Sequence, residues 1–194
     1  MARPRLHDAA LRTRLLEVAS HAVAAGGEGA VTVRSVAAAA GTSASAVYAL
    51  FGSRDELVAA VSAEGFRRFA GHLAAVPRTE DPLADLRELG LAYRTSALAD
   101  PHFYRVMFER AVPPAADAPP AVERPTFRVL RDAVARLLAG APDDRVEAAA
   151  VALWGLVHGL VSLELADLLP GDDDERAARY AAALAAVGPA LLAG

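Results

Sequence analysis

Apolar positions recur every three or four residues along most of the chain, and no stretch alternates residue by residue as a half-buried strand would. Leu11, Leu15, Val18 and Ala22 form the first such stripe, which Gly26-Gly27 stops. Thr32 can cap a short second helix through Ala40, and Gly41 breaks it; a third runs from about Ser45 to Leu50 and is followed by Gly52. Ser53-Arg54-Asp55-Glu56 has the form of a capping box and opens a long fourth helix to about Val76. Asp81-Pro82 and Asp100-Pro101 repeat one device, an aspartate cap before a proline at the first helical position, and start helices five and six. Residues 112–125 hold five prolines and read as a loop. Helix seven runs from about Thr126 to Leu138 and stops at Gly140. Asp144 and Glu147 begin helix eight, which ends before Pro170-Gly171, and Asp172 to Glu175 open a ninth helix through about Val187. The pattern predicts an all-α protein of nine helices: a three-helix helix-turn-helix domain over residues 1–52, then a larger helical bundle over 53–194.

Composition narrows the chemistry. Apolar residues make up 54% of 194 residues, enough for a sizeable core, and the absence of cysteine excludes disulfides, zinc–cysteine sites and cysteine nucleophiles. The net charge of −4 is unevenly spread. Residues 1–54 carry six arginines against Asp8, Glu17 and Glu28, so a basic amino-terminal segment precedes an acidic body. That asymmetry fits a polyanion met at one end only, or ordinary scatter. Arg12 and Arg14 interrupt any candidate signal peptide. The most apolar run, Ala148 to Leu163, is shorter than the roughly 20 residues of a spanning helix, so it reads as a buried core helix. These features point to a cytoplasmic protein with no membrane partner.

The short helices at 32–51 carry the most specific signal. A reading helix must sit at a fixed angle on a supporting helix, which requires small residues at the contact and a tight turn. Ala37 supplies the contact, Gly41 the turn, and Val47 plugs the seam, with Val33, Val36 and Leu50 beneath. The second helix leads with Thr42, Ser43, Ala44, Ser45 and Ala46, small enough for the backbone to approach a major groove. Tyr48 then falls on the outward face with its hydroxyl at phosphate distance, and Phe51 points into the core; periodicity alone also permits Tyr48 as a half-buried core aromatic.

From Leu11 to about Leu57 the sequence resembles the DNA-binding domain of the TetR family of bacterial transcriptional regulators. The resemblance rests on Thr32, Ala37, Gly41, Val47-Tyr48, Phe51 and Ser53-Arg54-Asp55-Glu56-Leu57. It implies that Thr32 and Tyr48 contact the DNA backbone and that Ser43, Ser45 and Ala46 face base edges or nearby phosphates. Thr42, Ala44 and Arg34 belong to the same surface, and Arg54 stands beside phosphate where the family usually has lysine. Ser45 replaces a frequent glycine or proline, and Leu50 a frequent histidine or aromatic. Arg3 and Arg5 read as a solvated tail, with a minor-groove or backbone arm as the alternative. One unit reads only a few base pairs, so a homodimer on a palindromic double-stranded operator is expected.

Helix eight carries Trp154, His158, Val161 and Leu165 on one face, and Gly155, Gly159, Ser162 and Ala166 on another. The small residues invite a second helix. This resembles the carboxy-terminal regulatory domain of one TetR subgroup with a similar Trp–His–Gly pattern. The resemblance implies a four-helix dimer interface from the last two helices, with Tyr180 and Leu184 on helix nine taking part; the other reading is a seam within one subunit. It also implies a small-molecule effector site among helices four to eight. Phe66, Phe69, Tyr93, Phe103, Tyr104, Met107, Phe108 and Phe127 gather there, with Trp154 and His158, and Tyr93, Tyr104, Trp154 and His158 are its candidate polar contacts. All of these also serve as core residues. The implied mechanism is repression: effector binding shifts helix four and changes the separation of the two reading units. Five scattered histidines show no metal spacing, and no phosphate loop or nucleophile elbow is present, so no catalytic residue, metal or cofactor is expected. The alternative function is a helical small-molecule-binding or interaction protein that no longer binds DNA.

Overall fold

Residues 5–108 and 124–193 are described in a computed structural model, and among them every regular element is helical. The helices are α1 (Arg5–Gly26), α2 (Val33–Ala39), α3 (Ala44–Phe51), α4 (Arg54–Ala74), α5 (Pro82–Ala99), α6 (Pro101–Phe108), α7 (Pro125–Leu137), α8 (Asp143–Leu165) and α9 (Asp173–Ala193), with a single 3₁₀ turn at Glu28–Ala30. The all-α reading therefore holds. The proline-rich loop lies almost wholly outside the described residues, as does Arg3.

The helix boundaries follow from local chemistry. Thr32 is extended, and its hydroxyl accepts the Ser35 N–H at 3.0 Å, closing a box in which Ser35 takes the place of the usual acid. Ser53 accepts the Glu56 N–H at 3.1 Å, and the Asp81 carboxylate accepts from Leu83 and Ala84. Asp172 accepts the Glu175 N–H at 2.9 Å while Glu175 accepts the Asp172 N–H at 3.1 Å, a complete reciprocal cap. One expectation needs correcting. Helix α9 does not stop near Val187 but continues over Pro189 to Ala193. Helix α8 has 23 residues, long and apolar enough to cross a membrane by length and composition. It packs against α5, α7 and α9 and holds an ion-paired Glu164, as a core helix does.

The chain divides into two compact units. The first unit joins residues 1–68 to 100–118. Its core runs through Leu15, Leu16, Ala19 and Val23 of α1, Val36 and Ala37 of α2, Val47 and Phe51 of α3, Leu57, Val58 and Val61 of α4, and Phe103 and Val106 of α6. Helix α6 belongs here because it lies along α1. It also approaches α4 at Gly65, where a Cβ would come within 2.9 Å of the Met107 side chain.

The second unit comprises residues 69–99 and 119–194. Leu86, Leu89 and Tyr93 of α5, Phe127 and Val134 of α7, and Leu153, Val157 and Val161 of α8 fill it. Two polar ties cross it. Arg94 donates Nε to Glu164 Oε2 at 2.8 Å and Nη2 to Oε1 at 2.5 Å. Asp85 accepts the Thr79 hydroxyl at 2.7 Å, the Thr79 N–H, and Arg136 Nη1 at 2.7 Å. The Thr79 hydroxyl first, then its N–H and Arg136, hold the Asp85 carboxyl below its ordinary range.

Candidate nucleic-acid interface

The turn between α2 and α3 sets the presentation of α3. Ala37 and Val47 are buried at the helix contact, and Gly41 has φ +67°, a backbone conformation that a side chain resists. Thr42 N–H donates to the Ala37 carbonyl at 2.9 Å, closing the turn. Ser43 begins α3 in an extended conformation and its hydroxyl accepts the Ala46 N–H at 3.2 Å. The two helices thus meet through small side chains at an angle fixed by backbone bonds, as the spacing of Ala37, Gly41 and Val47 implied.

The outward face of this pair is polar and open. Thr32, Arg34, Ser43 and Ser45 are exposed, Thr42, Ala44 and Ala46 are half-buried, and Tyr48 is 53% exposed. Phe51 is buried, so the two aromatics three residues apart lie on different sides of α3, one of the two arrangements the periodicity allowed. Tyr48 is accordingly not a core aromatic. Thr32 and Ser43 each carry a cap as well as facing outward, so their hydroxyls are already oriented.

Arg54, read as standing beside phosphate, also carries structural contacts. Its Nε donates to the Val31 carbonyl at 2.9 Å and its Nη1 to Asp55 at 2.8 Å. The guanidinium fastens the start of α4 to the segment entering α2 and so braces the reading unit. Two contributors were missed. Ser35 completes the Thr32 cap, a signal visible as Thr-x-x-Ser. The Arg12 guanidinium lies 5.4 Å over the Phe51 ring, adding a cation beside the end of α3 that only the tertiary contact of α1 with α3 reveals.

The residues read as an effector site pack against one another in two groups. In the first unit Phe66 meets Phe108 edge-on at 5.8 Å and Tyr104 lies 4.8 Å from Phe108, with Phe103 buried and Met107 over Gly65. In the second, Phe69 meets Tyr93 edge-on at 4.9 Å, Phe127 meets Trp154 at 5.8 Å, and the Tyr93 hydroxyl lies 3.2 Å from His158 Nδ1. A described cavity of 260 Å³ lies elsewhere in the second unit, lined by Leu73, Val76, Leu89 and Val129 with Asp85 and Arg136 at its polar side. None of the ten residues lines it. Among the described residues no group of three His, Asp or Glu side chains is placed to hold a metal ion.

On α8, Gly155 and Ala166 are exposed, Gly159 and Ser162 half-buried, and a Cβ on either glycine would meet open space. The small-residue stripe is therefore not a seam within the subunit at its glycines. Val151 and Leu163 are exposed beside it. Tyr180 requires correction: it is buried, and its hydroxyl donates to the Gly90 carbonyl at 2.7 Å, so it serves the subunit interior rather than an outer face. Leu184, half-buried, likewise packs onto Gly90 of α5.

The comparisons agree with this geometry. Residues 15–61 match the model of bacterial regulatory proteins of the tetR family, and residues 86–187, more than half of the chain, match the tetracyclin repressor-like C-terminal domain. A bacterial regulatory protein in the tetR family from Rhodococcus RHA1 is 28% identical, with a TM-score of 0.69 over 92% of this chain and 97% of that one. NalD, the secondary repressor of the MexAB-OprM multidrug efflux pump in Pseudomonas aeruginosa, is 21% identical with a TM-score of 0.62 over 91% and 94%. A TetR variant from Acinetobacter baumannii AYE in complex with minocycline is 21% identical with a TM-score of 0.59 over 93% of each chain. No match is found among curated proteins.

Proposed function

Because the chain belongs to the TetR family of bacterial regulatory proteins, and so is a ligand-responsive DNA-binding regulator of transcription rather than an enzyme, we propose that it acts as a cytoplasmic homodimeric repressor. The operator is palindromic, and a small, largely apolar effector releases the protein from it. The observation that carries this reading is the outward face of α3, where Ser43, Ser45 and Tyr48 stand clear of the core while Val47 and Phe51 anchor it. Hydroxyls there suit phosphate oxygens and base edges, and the small residues between them let the backbone approach the groove.

The dimer is supported by the open stripe of α8. Gly155, Gly159, Ser162 and Ala166, flanked by Val151 and Leu163, form an apolar surface that a second copy of the same helix can cover at close range. Ala182, Ala185 and Ala186 of α9, which packs on α8, are also exposed. A twofold pair presents two reading helices to successive major grooves.

The effector reading draws on the minocycline-bound relative and on the cavity at Leu73. Leu73 lies near the end of α4, and α4 is unbroken back to Arg54. A ligand that displaces this end moves the Ser53 turn that follows α3. A coupling of about 1–3 kcal/mol weakens operator binding several-fold to a hundredfold. The test is capture of genomic fragments by the full-length protein, followed by a compound screen for release. Recovery of a palindromic fragment with two protomers bound supports the proposal; sequence-independent recovery, or a single bound protomer, overturns it.

A further inference from the structure

Two of the five histidines that look scattered in sequence meet in the first unit. The imidazoles of His21 on α1 and His102 on α6 have centroids 3.8 Å apart with planes tilted by 41°. His21 is exposed and His102 half-buried, and His102 Nδ1 is buried without a hydrogen-bond partner. We propose that this pair is a proton-sensitive catch, which holds α6 on α1 while both rings are neutral and loosens that contact when they are protonated.

The argument is geometric. Two neutral rings can lie this close, and one imidazolium against one neutral ring is tolerable. A second proton places two like charges at ring-contact distance. It also places an N–H at the buried Nδ1, where no acceptor waits. Among the described residues, the charges acting on His102 are both positive, those of His21 and Arg105. Arg105 on α6 adds a further positive charge near His102. On α1, Glu17 lies one turn before His21, but Arg68 of α4 engages it at 3.2 Å. Arg68 also engages Asp100, at the start of α6, at 3.6 Å, and Glu64 of α4 at 2.8 Å. Among the described residues, the carboxylates of Glu17, Glu64 and Asp100 are thus each bound to Arg68. Burial first, then His21 and Arg105, hold the His102 imidazole below its ordinary range.

The sign follows. A histidine whose folded value is depressed contributes stability in full above its unfolded value near 6.5, and that contribution is lost as pH falls below it. One proton changes the equilibrium by at most tenfold per pH unit in that window. Helix α1 also packs on α2 and α3. Acidification therefore loosens one support of the reading unit, and DNA affinity falls with it. This last consequence rests on the regulator reading; the loosening itself does not.

The full-length protein can be tested without an operator. Histidine carbon–proton NMR from pH 8 to 5 should show one imidazole titrating below 6.5 with its partner's signal shifting in the same step. Hydrogen exchange, corrected for intrinsic rate, should show protection in α1 and α6 falling up to tenfold per pH unit below 6.5, while α8 is unchanged. His102→Phe, which keeps a ring against His21, should abolish this pH dependence. Equal pH dependence in wild type and His102→Phe would overturn the proposal. If that variant does not fold, a wild-type His102 titrating at or above 6.5 does the same.

Discussion

Removing the guanidinium of Arg94 isolates a charge inside the second unit. Arg94 and Glu164 join α5 to α8 through two charge-assisted bonds, and their side chains are 14% and 5% exposed. Arg94→Ala leaves the Glu164 carboxylate in that interior with its paired donors gone. Breaking a buried pair in this way costs about 3–5 kcal/mol, a large share of the roughly 5–15 kcal/mol by which a domain is stable. The guanidinium also lies 5.9 Å from the Tyr180 ring centroid, so lost packing adds to the effect. Replacing both partners with apolar residues, Arg94→Met with Glu164→Leu, removes the charge with its counter-charge and should recover most of the loss. Urea unfolding at pH 7, followed by circular dichroism, measures the cycle. At about 2–4 °C per kcal/mol, the single variant should also melt roughly 6–20 °C lower. A single variant within 1 kcal/mol of wild type, or a double variant as unstable as the single one, would refute the burial argument.

Acid should weaken the first unit through Glu64. The Arg67 hydrogen bond is the largest cause of its carboxyl pKa being lowered from 4.5 to about 2, opposed by burial and joined by Arg68. The folded value is depressed, so this stability is fully present above about 4.5 and is lost as pH falls toward 2. With Arg67 largely exposed and its bond screened, Glu64→Gln should cost about 1–2 kcal/mol at pH 7 and little at pH 2.5, measured by urea midpoints. Gly155→Leu should leave the subunit folded, since a Cβ there meets open space, but weaken the dimer at least tenfold by sedimentation. An unchanged dimer would remove α8 from the interface.

The reading unit was the most legible part of the chain because its constraints are local. Thr32, Gly41 and Ser43 act on backbone within three or four residues, and Ala37 and Val47 meet across a single turn. The same locality made the Asp81-Pro82 and Asp100-Pro101 starts readable. The bond from Arg54 to the Val31 carbonyl was not legible because it crosses the unit and leaves no periodic trace. Tyr180 and Leu184 were given to the dimer interface by the resemblance, yet bulky side chains four apart on an alanine-rich helix mark its inner stripe. The His21–His102 contact depends on α6 returning to α1 and has no local signature. The aromatics of the middle helices show the opposite limit: their gathering was visible, but whether they fill space or line it depends on ring-to-ring geometry.

The central claim is that the outer face of α3 reads duplex DNA. Fluorescence anisotropy of a captured palindromic fragment, with wild type and Tyr48→Phe compared across a salt series, tests it most directly. Wild-type affinity should fall steeply with salt, and loss of one hydroxyl should weaken binding by about 1 kcal/mol, roughly fivefold, with the dimer intact. Identical affinities for the two proteins at every salt concentration would contradict the assignment of Tyr48 and, with it, the orientation given to the reading helix.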